Sequence, residues 1–440
     1  MAPGLIVAAP ASGSGKTMVT LGLLRALAGR GVRVASAKIG PDYIDPAFHA
    51  AATGRPCLSL DSWAMRRSML AAVADEAGEG ADLVLCEGVM GLLDGADAPV
   101  GEPDGSTAEA AALTGWPVVL VVDARGMAAS VAAVVAGFAG ARPDVTVAGV
   151  IVNRVGGDKH RRMIARAMAA HVPDVAVLGF LPRRESLAVP SRHLGLVQAC
   201  EHPDVAGFLA RAAALVAEHV DLDALAAMAR SGRLRADGFP HPAVPPLGQR
   251  IAVARDEAFA FTYPLILAGW RRAGAELRFF SPLAGQGPAA DADAVYLPGG
   301  YPELYAARLA GQDDFRAGMR GAVARGAAVL GECGGYMVLG RTLADADGAV
   351  HPMLGLLPVD TSFAAPRRHL GYRRLTVLTD GPLGAAGMGF RGHEFHFASA
   401  TAEDGERLFA VADAAGAPLP DAGCRAGRVM GSFVHLIDRA

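Results

Sequence analysis

The stretch Pro10-Ala-Ser-Gly-Ser-Gly-Lys-Thr17 limits what this chain can fold into more than any other. The apolar run Gly4-Leu-Ile-Val-Ala-Ala9 leads into it, and the helical pattern Met18-Val-Thr-Leu-Gly-Leu-Leu-Arg-Ala-Leu27 leads out. A buried strand, a small-residue loop and a helix, in that order, make a phosphate-binding loop. Backbone N–H groups and the helix N-terminus then face an anion together. Gly13 and Gly15 let the backbone curl around that anion. The predicted nucleotide contacts are therefore Ser12, Gly13, Ser14, Gly15, Lys16 and Thr17. Lys16 is expected to reach the β- and γ-phosphates, and the Thr17 hydroxyl to ligate Mg²⁺. Pro10 stands where the first glycine of the usual pattern belongs.

The next apolar run, Gly31-Val-Arg-Val-Ala-Ser-Ala-Lys38, passes directly into Ile39-Gly-Pro-Asp-Tyr-Ile-Asp-Pro46. Parallel strands deliver their C-terminal ends to one crevice, so Lys38, Asp42, Tyr43 and Asp45 are expected to face the phosphate loop. Two carboxylates and a lysine beside a triphosphate suit metal binding and charge stabilisation, although a Pro-bounded turn with solvated acids gives the same pattern. After a helix over about residues 62–77, Ala81-Asp-Leu-Val-Leu-Cys-Glu87 is a strand ending in an acid, the position of a Mg²⁺-holding carboxylate. Cys86 reads as a buried strand residue, not a nucleophile. Gly88-Val-Met-Gly-Leu-Leu-Asp-Gly95 adds a Gly-punctuated loop carrying Asp94. Further strands are expected at residues 116–123, 145–152 and 174–180. Asn153, at the end of the second of these, either reads the adenine edge or caps a helix. Strands alternating with helices at this spacing predict a doubly wound parallel sheet. Residues 181–200 carry Arg183, Arg184, Arg192 and His193, as a solvated loop or as a basic lip for a polyanionic substrate. The Pro-rich segment 230–249 reads as a linker, which predicts domains at 1–229 and 250–440.

Charge excludes some classes of function. With 41 basic and 44 acidic residues, no bulk charge points to nucleic acid or an anionic membrane. The longest uncharged stretch, residues 126–141, is about 16 residues and too short to span a bilayer. The N-terminal apolar run ends in the phosphate loop and lacks a basic lead, so it does not read as a signal peptide. Five scattered cysteines without C-x-x-C spacing predict a reduced, cytoplasmic protein with neither a zinc site nor a disulfide framework.

In the second half, Ala327-Ala-Val-Leu-Gly-Glu-Cys-Gly-Gly-Tyr-Met337 drives an apolar strand into a tight turn with Cys333 at its apex and a helix beyond. This is the pattern of a nucleophile elbow. The helix N-terminus is expected to lower the thiol pKa and favour thiolate. The N–H of Gly334, with that of Gly300 or Gly299, is expected to form an oxyanion hole. Candidate bases are His435, in Val429-Met-Gly-Ser-Phe-Val-His435, and the histidines of Arg391-Gly-His-Glu-Phe-His396. His393 and His396 point to opposite faces of a strand, which makes them a poor metal pair.

The Cys333 elbow, Leu297-Pro-Gly-Gly-Tyr-Pro-Glu303 and Gly431-Ser-Phe-Val-His435 resemble class I glutamine amidotransferase domains. Lys38–Pro46, Glu87–Gly95, Arg192-His-Leu-Gly-Leu196 and Arg391–His396 are similar to the cobyrinic and hydrogenobyrinic acid a,c-diamide synthases. In that family such a domain follows a dethiobiotin-synthetase-like P-loop domain. The resemblance implies an α/β protein: an N-terminal P-loop doubly wound parallel sheet and a C-terminal α/β amidotransferase domain. It further implies ATP- and glutamine-dependent amidation of the a- and c-acetates of a corrinoid, a tetrapyrrole carboxylic acid, through acyl phosphates, with Mg²⁺. Carried onto these residues, Cys333 is the glutamine nucleophile and His435 raises its nucleophilicity. Gly300 and Gly334 form the oxyanion hole, and Lys38 and Asn153 join the nucleotide contacts. Thr17, Asp45 and Glu87 hold the metal, while Asp42, Tyr43, Asp94 and Arg192 face the corrinoid. The third triad member usually stands two residues after the histidine, and here that residue is Ile437, which implies a Cys–His dyad. Leu60-Asp-Ser-Trp63 favours hydrogenobyrinate over cobyrinate. The same chemistry on nickel-sirohydrochlorin, or cobyric acid synthesis, is the nearest alternative. From another class, a partitioning-type P-loop ATPase switch requires an extra lysine early in the loop, where this chain has Ala11. A homodimer is expected.

Overall fold

The computed structural model describes residues 2–184, 191–192, 195–196 and 198–440, with the side chains of 191–192, 195–196 and 200 excepted. The chain forms two compact units. The first runs to Pro240, lacking Ala64–Arg66 and Asp97–Pro99, which belong with His241–Ala440 in the second.

The first unit is built on seven parallel strands: β1 (Pro3–Ala8), β2 (Val34–Ile39), β3 (Leu58–Leu60), β4 (Leu83–Glu87), β5 (Val118–Asp123), β6 (Val147–Val155) and β7 (Ala176–Pro182). Their order is β3-β2-β4-β1-β5-β6-β7. All six residues of β2 and the last five of β1 are buried, because helices cover both faces of the sheet; this explains the unbroken apolar runs. The connections leave β1 first to one side, toward β2–β4, and later to the other, toward β5–β7. The crevice at the C-terminal end of β1 is therefore where a ligand is expected to sit. Helix α1 (Lys16–Gly29) starts there. Its Gly22 admits the helix Val205–His219 so closely that a Cβ would lie 2.6 Å from Val216 Cγ2.

Two local departures from the sequence reading have physical causes. The predicted helix over 62–77 begins only at Arg67, because Trp63 turns fully into the core and Ser62 donates to Glu109 at 2.8 Å. Segment 230–249 is packed, not free. Arg230–Ser231 adds an antiparallel strand to β1, while Ala243, Val244 and Leu247 are buried in the second unit.

The second unit contains β8 (Arg250–Ala254), β9 (Glu276–Phe280), β10 (Ala294–Leu297), β11 (Ala328–Glu332), β12 (His369–Val377), β13 (Gly389–His396), β14 (Glu406–Ala412), β15 (Pro418–Ala426), β16 (Val429–Ser432) and β17 (Val434–Arg439). They form one ten-stranded sheet in the order β9-β8-β10-β11-β16-β15-β14-β12-β13-β17. It is parallel from β9 to β16 and antiparallel beyond. Only Phe433 separates β16 from β17 in the chain, yet they stand at opposite ends of the antiparallel run, so that run curls back on itself. Helix α3 (Gly334–Leu339) follows β11, and its Tyr336, Met337 and Leu339 enter a core with Phe259, Phe315 and Leu297.

Candidate functional site

The loop at the end of β1 has the conformation its glycines permit. Gly13 and Gly15 take φ of 80° and 88°, in the left-handed region that side chains avoid. Gly15 is also required sterically: a Cβ there would lie 2.4 Å from Asn153 Nδ2. That amide donates to Ser14 O at 2.9 Å, and its oxygen accepts from Arg154 N. Asn153 thus braces the loop from behind, and each end of its amide keeps a second hydrogen-bonding site. Arg154, with φ 58°, spans Gly13 O at 2.7 Å and Asp123 Oδ2 at 2.6 Å. Beside the loop lies a cavity of about 540 Å³, lined in part by Ser12, Gly13, Ser14, Asp123 and Arg125. The N-terminus of α1 carries no side-chain cap, which leaves its N–H groups available to an anion.

Behind the loop, β1, β2 and β4 bring their charged ends together. Lys16 Nζ donates to Gly88 O at 2.5 Å and lies 3.8 Å from Glu87. Burial, helped by the nearby Lys38 charge, lowers its pKa to about 8. Lys38 Nζ lies 2.6 Å from Asp45 Oδ2, 3.1 Å from Glu87 Oε1 and 3.8 Å from Asp42. Burial works against its charge, but Asp45, Glu87 and Asp42 outweigh this and hold the ammonium well above its ordinary pKa. Thr17 Oγ1 donates to Glu87 Oε1 at 2.7 Å and stands 3.5 Å from Asp45 Oδ2. Burial and Asp42 push Asp45 up to about 7 despite Lys38. Glu87 is equally buried, yet Lys38 and a hydrogen bond from His49 drive its pKa well down. His49 Nε2 approaches Glu87 Oε2 at 2.7 Å, and its other ring nitrogen faces Cys57 Sγ at 3.6 Å.

Thr17, Asp45 and Glu87 therefore offer only hard oxygen donors around one point, the donor set Mg²⁺ prefers. Lys38 supplies the positive charge among them.

The residues expected at the substrate have more varied surroundings. Asp42 Oδ1 accepts from the N–H of Ile44 and Asp45 at the start of α2 (Asp45–Thr53), so part of its carboxylate serves the turn. Tyr43 is buried. Asp94 is exposed and accepts from Gly91 N at 2.9 Å. The side chain of Arg192, and His193 altogether, lie outside the described residues. Met90 and Leu93, not singled out in the sequence, expose apolar side chains in the same loop as Asp94, and Met90 has φ 43°. Gly91 anchors that loop to the phosphate loop, since a Cβ there would meet Pro10 O at 2.6 Å.

In the second unit Cys333 is the elbow, with φ 47° and ψ −104° between β11 and α3. A side chain held at such φ costs on the order of 1–3 kcal/mol and is kept only by its surroundings. Gly334 permits the turn: a Cβ there would lie 2.9 Å from Gly300 N, which brings the two predicted oxyanion donors together. A Cβ on Gly299 would lie 2.5 Å from His435 Cε1 and 3.3 Å from Cys333 Cβ, so the two residues expected as base and nucleophile converge on that glycine. The Cys333 thiol shifts in the direction opposite to that expected. Burial, with the negative charge of Glu303, pushes the Cys333 thiol well above its usual range, and the Gly334 N–H opposes this only in part. Burial, together with His393 and His396, lowers His435 to about 3, so it is a neutral imidazole able to take the thiol proton.

Ile437 is buried, and Asp438 turns elsewhere, accepting from the backbone and guanidinium of Arg66. Glu332, which precedes Cys333, has Oε2 4.0 Å from His435 Nδ1. The sequence reading passed over it because the expected carboxylate follows the histidine. The Arg391–His396 motif lies along β17, with His393 opposite His435. His369, Glu394 and His396 cluster there. One donor atom from each lies within 4.8 Å of the other two, while the two imidazoles stack at 4.6 Å and 6° from parallel and Arg373 pairs with Glu394.

Comparison with known proteins matches residues 5–197 to the CobQ/CobB/MinD/ParA nucleotide binding domain and residues 250–439 to the CobB/CobQ-like glutamine amidotransferase domain. The chain is 54% identical to a hydrogenobyrinate a,c-diamide synthase of Brucella abortus, covering 99% of this chain and 98% of that protein. It is 52% identical to one of Rhodobacter capsulatus, covering 99% and 98%. Among solved structures, a glutamine amidotransferase matches at 18% identity and a TM-score of 0.28, covering 42% of this chain and 89% of that one, too distant to carry an argument. No described helix is long and apolar enough to cross a membrane.

Proposed function

The chain belongs to the hydrogenobyrinate a,c-diamide synthase family, and from this we propose that it converts the a- and c-acetate carboxylates of hydrogenobyrinic acid to amides, using ATP and glutamine. The observation that carries this reading is identity above half along the whole chain to relatives of that name, spanning both units.

An acetate carboxylate resists ammonia because its oxygen is a poor leaving group. A carboxylate oxygen therefore attacks the γ-phosphorus of ATP and ADP departs. Ammonia then attacks the acyl carbon of the acyl phosphate, and inorganic phosphate leaves. In this reading the loop from Ser12 to Thr17 and the N-terminus of α1 bind the phosphates. Lys16 and Lys38 stabilise charge on the transferring group. Thr17, Asp45 and Glu87 would hold Mg²⁺, which supplies further charge neutralisation when bound. Exposed Met90 and Leu93, beside Asp94, suit an apolar macrocycle fringed with polar groups.

Ammonia comes from glutamine. His435 takes the Cys333 proton as the sulfur attacks the carboxamide carbon, and the N–H groups of Gly300 and Gly334 receive the developing oxyanion. The amide nitrogen takes that proton from His435 and leaves as ammonia, and water then hydrolyses the Cys333 thioester to glutamate and the free thiol. The neutral resting pair fits this sequence, since charge appears only on attack.

Replacing the nitrogen source tests the reading. Cys333→Ala and His435→Ala should abolish glutamine-dependent diamide while keeping ammonium-dependent diamide, scored by mass spectrometry on hydrogenobyrinate and, in parallel, cobyrinate. Folded Cys333→Ala protein that loses both activities equally would remove the amidotransferase role. Diamide from cobyrinate alone would remove the substrate assignment.

A further inference from the structure

We propose that Glu332 is the positioning residue of His435, holding the ring toward Cys333 and stabilising its imidazolium, in the place where Ile437 supplies no carboxylate. This rests on the Cys333–His435 reading above.

The sheet topology shows why such a tie is needed. Cys333 follows β11, which pairs with β10 and β16. His435 lies on β17, which pairs with β13. No backbone ladder joins β11 to β17; they are linked through β16 and Phe433, which leaves the orientation of the His435 ring to side chains. Glu332 spans the gap. Its Oε1 accepts from the backbone N–H of Leu436, the residue after His435, at 3.0 Å. Its Oε2 accepts from Tyr296 OH at 2.6 Å and lies 4.0 Å from His435 Nδ1. One buried carboxylate thus fixes the strand that carries the base and aims an oxygen at the ring nitrogen remote from a reacting proton. Tyr296, from β10, keeps that oxygen from turning away.

When His435 takes the thiol proton, an imidazolium stands beside this carboxylate in a dry pocket, where opposite charges attract strongly. Glu332 exchanges no proton in the step. The other groups near the pair are His393 and His396 from β13, Glu303 and Glu394 on the Cys333 side, and Tyr263, whose ring lies 6.4 Å from that of His435. The two histidines oppose a cation at His435, so the counter-charge has to come from a carboxylate.

Glu332→Gln keeps the shape and an acceptor for Leu436 but removes the charge. Its kcat for glutamine hydrolysis should fall about 10–100-fold, as for other groups that orient a reacting residue, with glutamine KM changed less than about twofold. The acid limb of Cys333 alkylation by iodoacetamide should move down by about one pH unit, because His435 is harder to protonate without the adjacent carboxylate. Alkylation above that limb and ammonium-dependent amidation should match the wild type, showing that the pocket and the first unit are intact. Tyr296→Phe, which leaves the carboxylate in place, should shift the limb in the same direction by less. A wild-type kcat and alkylation profile in Glu332→Gln overturns the proposal. So does a loss of alkylation at every pH, or, if that variant does not fold, an unmoved limb in Tyr296→Phe. Retained glutamine hydrolysis in Cys333→Ala would instead remove the reading on which the proposal rests.

Discussion

Asn153 stands so close behind Gly15 that a methyl group on Gly15 would meet the Asn153 amide nitrogen at 2.4 Å. The conformation of the phosphate loop is therefore supported from two strands away, by a residue about 140 positions later in the chain. Gly15→Ala adds both this clash and an alanine at φ 88°, a left-handed position costing about 1–2 kcal/mol. ATP-dependent amidation should fall by at least about tenfold with either nitrogen source, while glutamine hydrolysis at Cys333 persists. Steady-state assays with glutamine and with ammonium check this.

Lys38 is the cation between two buried carboxylates. Lys38→Met leaves Asp45 and Glu87 facing each other without it, and breaking such a buried pair typically costs about 3–5 kcal/mol. The first unit should melt earlier, and added Mg²⁺ should raise its melting temperature more than it does in the wild type, because the ion restores the missing charge. Equal Mg²⁺ shifts in the two proteins would contradict the assignment of Thr17, Asp45 and Glu87 as its ligands.

Gly299 is the point on which Cys333 and His435 converge. Gly299→Ala would push a methyl group within 2.5 Å of His435 Cε1. Glutamine hydrolysis should drop by about two orders of magnitude, as when reacting groups are misplaced by an ångström. Ammonium-dependent amidation should stay near wild type.

Burial raises the Glu332 carboxyl from its ordinary 4.5 to about 7. A group whose pKa rises on folding lends stability that is fully present below its unfolded pKa and lost as pH rises through its folded one. Between about pH 4.5 and 7, wild-type protein should therefore lose on the order of 3 kcal/mol that Glu332→Gln does not. The melting temperature of the variant minus that of the wild type should grow across this window. A constant difference would show that Glu332 does not titrate there.

Much of this arrangement was legible in the sequence because local order carries it. A strand, a small-residue loop and a helix leave little choice about where Lys16 and Thr17 point. Acids and lysines at the ends of parallel strands meet in one crevice, as Lys38, Asp45 and Glu87 do. What escaped depends on distant side chains. His49 sits inside a helix and reaches Glu87 across the sheet. Arg154 links Gly13 to Asp123 only once β5 and β6 are aligned. Glu332 is next to Cys333 in the chain, but its partners come from β10 and β17. The Cys333 thiol was misjudged for a related reason: a short helix is visible in a sequence, whereas full burial and Glu303 are properties of the packed unit.

The return of the chain from β16 to β17 also fixes when the second unit can begin to work. The edge of β11 is completed by Val429–Ser432, and His435 arrives only a few residues later. A nascent chain that has emerged as far as residue 427 already holds Cys333, every strand of the parallel nucleotide sheet and the Arg230–Ser231 strand that flanks β1. It lacks the base and the strand beside the elbow. During synthesis the strands of the nucleotide-binding unit are thus all made before the second unit acquires His435 and the strand beside its elbow.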